Sequence, residues 1–105
     1  MGRGKPRHDD LPFTPMQIRL LVNVLDAIDR LYDNSITVLD LYAIILATSA
    51  AMLGTDLHEL LTSTSGDLLR ISQSDSTTSE TSRGNALEAT DPLRKRLAGL
   101  IPFPD

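Results

Sequence analysis

Two stretches of this chain carry side chains at spacings that chemistry uses. His58-Glu59-Leu60-Leu61-Thr62 opens like a zinc-protease helix. There, two imidazoles one turn apart hold the metal and the Glu acts as base. Thr62 stands where the second His is required, and the other His, His8, is far upstream in the sequence. Asp29, Asp33 and Asp40 fall at positions 1, 5 and 12 of a calcium-loop pattern. Leu31 occupies a ligand position of that loop, Asn34 replaces its Gly, and Asp40 replaces its bidentate Glu. The glycines at 2, 4, 54, 66, 84 and 99 form no phosphate-cradling loop, and the chain has no Cys. Disulfides, thiolate ligands and Cys nucleophiles are therefore excluded together. No Ser–His–acid arrangement is available. The expectation is a protein that is not an enzyme and holds no metal or cofactor.

Charge offers other candidates. The net charge of −4 is uneven: residues 1–8 carry +3, residues 9–61 carry −6 and residues 62–105 carry −1. Asp26, Asp29, Asp33 and Asp40 make an acidic partner-binding candidate suited to a basic protein. Arg94, Lys95 and Arg96 form a basic cluster. Clustered bases can neutralise phosphates. No aromatic residue is interleaved for base stacking, so a solvated helix face is preferred to nucleic-acid binding. The same bases also suit docking against Asp26, Asp29 or Asp33.

The elements that position these groups follow from capping and periodicity. Thr14 with Gln17, and Thr37 with Asp40, repeat one helix-start grammar 23 residues apart. In each, a Thr N-cap precedes an acceptor side chain by three residues, and apolar residues flank the turn as a staple. Helix 1 is predicted from Pro15 to about Tyr32. Its solvent stripe is Arg19, Asn23, Asp26, Arg30 and Asp33, and its apolar arc is wide enough for two neighbours. Asp33-Asn34-Ser35 makes the turn. Helix 2 is predicted from Val38 to Leu53 with Gly54 as C-cap, and it has almost no polar face after Asp40. Its small-residue stripe, Ala43, Ala47, Ala50 and Gly54, is an oligomer-interface candidate. Such a helix is expected at the centre of the bundle.

Helix 3 is predicted to start at Thr55 or Asp56, with Asp56 and Glu59 at capping-box spacing, and to end near Thr62, because Thr62 to Gly66 are poor helix formers. One further turn is expected near Asp67, closing a helical core over residues 13–71. Residues 72–85 hold eight Ser or Thr in 14 positions and are expected to be a disordered linker, with Ser72 as a modification candidate. A last amphipathic helix is expected within residues 86–101, its main start at Asp91-Pro92, and residues 1–12 and 102–105 are expected to be tails.

The resulting fold class is all-α, a small bundle of three to four helices opening with an antiparallel helical hairpin. Its longest apolar stretch, Leu41 to Leu53, is too short to span a bilayer, and residues 1–7 lack the apolar core of a signal peptide. A cytoplasmic location is expected. Residues 16–53, with an amphipathic helix, a polar turn and then Ser35-Ile36-Thr37-Val38-Leu39-Asp40-Leu41, resemble the opening hairpin of small helical bacterial immunity proteins of the colicin type. The resemblance implies a protein that binds and blocks a toxin. The leading expectation is thus a protein-binding module, with toxin neutralisation as its immunity-protein form. The alternatives are a homodimeric assembly subunit using residues 38–53 and a nucleic-acid accessory protein using residues 92–99.

Overall fold

The computed structural model describes residues 13–74 and 79–100. They form four helices and no strand: α1 (Pro15–Tyr32), α2 (Val38–Ala51), α3 (Leu57–Ser72) and α4 (Ser79–Leu100). The predicted tails and residues 75–78 of the predicted linker fall outside the described residues.

Both capping boxes form as their spacing dictates. The Thr14 hydroxyl accepts from the Gln17 amide at 3.1 Å, and the Gln17 side chain accepts from the Thr14 amide at 2.9 Å. Thr37 and Asp40 exchange the same pair at 3.1 and 3.0 Å. Each box satisfies two amides that the first helical turn leaves without partners. The staple residues follow suit: Phe13 and Leu41 are buried, and Ile18 and Ile36 pack against the core. Helix α1 ends in a Schellman turn. The Ser35 amide donates to the Arg30 carbonyl and the Asn34 amide to that of Leu31, with Asn34 at φ 64°. Asn tolerates that left-handed conformation better than most side chains.

The core is aliphatic. Leu21, Val24, Ile28 and Leu31 of α1 meet Leu41 and Ile45 of α2, Leu57, Leu61 and Leu68 of α3, and Leu93 and Leu97 of α4. Helix α1 packs on both α2 and α4, which accounts for the width of its apolar arc. The most extensive contact joins α2 and α3. Its seam includes Thr48, Ser49, Thr64 and Ser65, all buried. The hydroxyls of Thr48, Ser49 and Ser65 donate back to carbonyls of their own helices at 2.7–2.8 Å. Such short side chains let two backbones approach closely, and these three hydroxyls keep their hydrogens within their own helices.

Several expectations give way. Helix α3 runs through Ser72 instead of ending near Thr62, because Thr64, Ser65 and Leu68 are buried and packing outweighs weak propensity. Residues 79–85 are helical, so the predicted linker shrinks and the last helix begins well before Asp91-Pro92. Pro92 lies inside α4, where Ala86, Thr90, Leu93 and Leu97 form a buried stripe across it. The Asp56–Glu59 box does not form; the Thr55 hydroxyl instead accepts from the Leu57 amide at 3.3 Å. Helix α2 stops at Ala51 with Met52 as C-cap, and Gly54 turns the chain beyond it at φ 90°. That angle favours Gly, the residue without a Cβ. Helix α2 is also not central, because one whole side of it faces solvent.

Candidate functional site

Helix α2 contains no charged residue after Asp40, and the next charge along the chain is Asp56. Its inner side, Leu41, Ile45, Thr48 and Met52, is buried. Its outer side carries Leu39 and Leu46, 55% and 42% exposed, and Leu53, just past the C-cap, is 72% exposed. Ala43, Ala47, Ala50 and Gly54 are exposed as well. The predicted small-residue stripe is therefore on the surface, and three leucines accompany it. Within α2, Leu39, Ala43, Leu46 and Ala50 recur at steps of four, three and four residues, the spacing that keeps one seam in line along a helix. The leucine line was the signal missed in the sequence. A helix apolar all round reads as buried, and only the packing reveals which side is left open.

The acidic residues do not converge as a set. Asp26, Asp29, Asp33 and Asp40 are all exposed. Asp26 pairs with Arg30 at 3.0 Å, and Asp40 is engaged in capping α2. Asp29 and Asp33 make no ion pair among the described residues. Asp29 sits within α1 rather than at the start of a loop, so the calcium-loop spacing of Asp29 and Asp40 has no loop beneath it.

Of the basic cluster, Arg94 and Lys95 both pair with Asp91, at 2.8 and 3.0 Å. These bonds, that from Lys95 first and that from Arg94 second, hold the Asp91 carboxyl below its usual range. Arg94 shares a cleft between α1 and α4 with Asp26 and Asp29, so α4 does lie beside the acidic helix, but its charge is satisfied within α4. Arg96 is exposed and lines a separate cleft with Phe13 and Asp56. Arg96 is therefore set apart from the other two bases.

His58 is half-buried, and its Nδ1–H donates to the Ser49 carbonyl at 2.8 Å, tying the start of α3 to the end of α2. Ser72 closes α3, half-buried, with its hydroxyl donating to the Leu69 carbonyl at 2.8 Å. Among the described residues no three His, Cys, Asp or Glu side chains gather into a group able to hold a metal ion. No helix among them is long and apolar enough to cross a membrane. Compared with models of protein families, with curated proteins and with solved structures, the chain finds no match.

Proposed function

We propose that this chain is a non-catalytic protein-binding module that receives another helix on the outer face of α2. The observation that carries the reading is the exposure of Leu39 and Leu46 on one side of α2, with Leu53 exposed just past its C-cap, in a stretch without charge from Leu41 to Thr55. Exposed apolar residues scattered singly need no explanation, whereas a contiguous apolar patch marks an interaction surface. Seam spacing with leucines between alanines suits a helix better than a flat partner.

The test is site-specific photo-crosslinking in cells of the source. A photoreactive residue at position 46 should capture a discrete protein band, and one at position 33 should not. Capture at 33 alone would overturn the reading.

A second reading places a basic toxin domain against the outer side of α1, in the manner of an immunity protein. It is supported by Asp29 and Asp33, both exposed and without an ion pair among the described residues. Charge reversal at Asp29 should then abolish capture at position 33.

A further inference from the structure

We infer that the helix received by the outer face of α2 is α2 of a second copy of the same chain, lying antiparallel across a two-fold axis. This deepens the proposed function and rests on it.

The argument begins with size. The seam alternates large and small: Leu39, Ala43, Leu46, Ala50. In a parallel pair, like layers meet, leucine on leucine and alanine on alanine, and the alanine layers leave voids. In an antiparallel pair centred between Ile44 and Ile45, Leu39 meets Ala50 of the second copy and Ala43 meets Leu46 of the second copy. The other half of the pair repeats these contacts by symmetry. Every layer then sets one large side chain against one small one, which fills space at native density. The centre is also the midpoint of α2, Val38–Ala51, so the two helices overlap along their whole length. A two-fold contact requires a patch that complements itself, and this patch does.

Charge points the same way. Asp40 is exposed at one end of α2 and is the helix's only charge. A parallel pair would bring the two copies of Asp40 together. In the antiparallel register each Asp40 lies level with Ser49 of the other copy. The two carboxylates are then about 13 Å apart along the axis, from a rise of about 1.5 Å per residue. That exceeds the screening length of about 8 Å at physiological ionic strength. The chain carries −4 overall, and this uncharged side of α2 can approach a second copy without bringing like charges into contact.

The test uses the purified full chain. Sedimentation velocity from low micromolar to millimolar concentration should show the mass rising from one chain to two. Leu46→Glu should weaken association by more than about tenfold, because it buries an unpaired charge. Leu39→Lys serves as a second variant, and circular dichroism checks that both stay folded. Orientation is read by cysteines, since the chain has none of its own. The double variant Ala43→Cys with Leu46→Cys should form an interchain disulfide on oxidation, and Leu39→Cys alone should not. Cross-linking of Leu39→Cys with itself overturns the antiparallel arrangement. A dimer that survives both charged variants overturns the choice of face. A strict monomer whose position 46 still captures another protein in cells overturns the second copy and leaves the module reading standing. A monomer that captures nothing there removes both.

Discussion

The Nδ1–H of His58 donates to the Ser49 carbonyl at 2.8 Å across the turn that joins α2 to α3. Ser49 is in the last turn of α2, where its carbonyl also accepts from the Met52 amide at 3.1 Å and the helix dipole is negative. The bond therefore fixes the start of α3 against the end of α2, beside the most extensive helix contact in the molecule. The sequence offered His58 as half of a metal motif, whereas the structure gives it a joining role.

His58→Ala should lower stability by about 0.5–1.5 kcal/mol, the net worth of a typical hydrogen bond. Glu59→Ala, next to it and exposed, should change stability by no more than about 0.5 kcal/mol. Urea denaturation of the two variants side by side checks the difference. Equal effects would mean that the imidazole contributes nothing through Ser49.

Asp40 acts as a cap before it acts as a surface charge. Thr37→Ala should cost about 0.5–2 kcal/mol. Asp40→Ala should cost about 0.3–1 kcal/mol, since it removes both an acceptor and a negative charge at a helix start. The two residues bond each other's backbone, so their effects should not add. A double-mutant cycle should show coupling of about 0.5 kcal/mol or more. Simple additivity would argue against a shared cap.

Ser65 tests the α2–α3 seam. It is buried, and its hydroxyl donates to the Thr62 carbonyl, which lies in its own helix. Ser65→Ala removes a bond that the seam does not use and should be within about 1 kcal/mol of neutral. Ser65→Leu adds volume where two backbones approach and should cost about 1–3 kcal/mol. Thermal unfolding of both variants decides. A stabilising leucine would mean that the seam holds spare room.

This seam also marks where the sequence stopped being legible. Both capping boxes, the bounds of α1 and the Asn34 turn are written within six residues of the chain, and each was readable from types and spacing. Helix α3 was not, because Thr64 and Ser65 are poor helix formers whose burial in the bundle outweighs their propensity. The early start of α4 has the same cause: Ser82 and Arg83 are half-buried beside a cleft shared with Ile36 and Val38 of the first junction. Local chemistry specified the caps, and long-range packing specified the rest. The candidate site divided in the same way. Its alanines were visible as a stripe, but which side of α2 would remain open depended on three other helices.

Asp91 gives a pH signature. Its carboxyl titrates below the usual range because Lys95, and then Arg94, donate to its charged form. A folded pKa below the unfolded one means that the stabilisation is complete above the unfolded pKa. It is lost as pH falls through the folded one. The effect should therefore appear only under acid conditions. In a carbon-detected NMR titration the Asp91 carboxyl should shift below the ordinary carboxylate range. Arg94→Gln together with Lys95→Gln should return it to the ordinary range, and an unmoved titration would assign the shift elsewhere.

Pro92 poses the clearest local conflict in the fold. It is exposed in the interior of a 22-residue helix, and it cannot supply the amide that would bond the Glu88 carbonyl. What carries the helix across it is the stripe on the other side, where Leu93 and Leu97 are fully buried and the Thr90 hydroxyl donates to the Ala86 carbonyl at 3.0 Å. Replacing Pro92 by Ala restores the missing bond and relieves the steric conflict, a gain of up to about 3 kcal/mol. The more flexible unfolded chain offsets about 0.4–1 kcal/mol of it. The net stabilisation should be up to about 2 kcal/mol, a rise in Tm of several degrees for a domain of this size. Calorimetry of Pro92→Ala measures it. A lower Tm would mean that Pro92 sets a bend on which the docking of α4 depends, and that the helix is held by its shape as much as by its leucines.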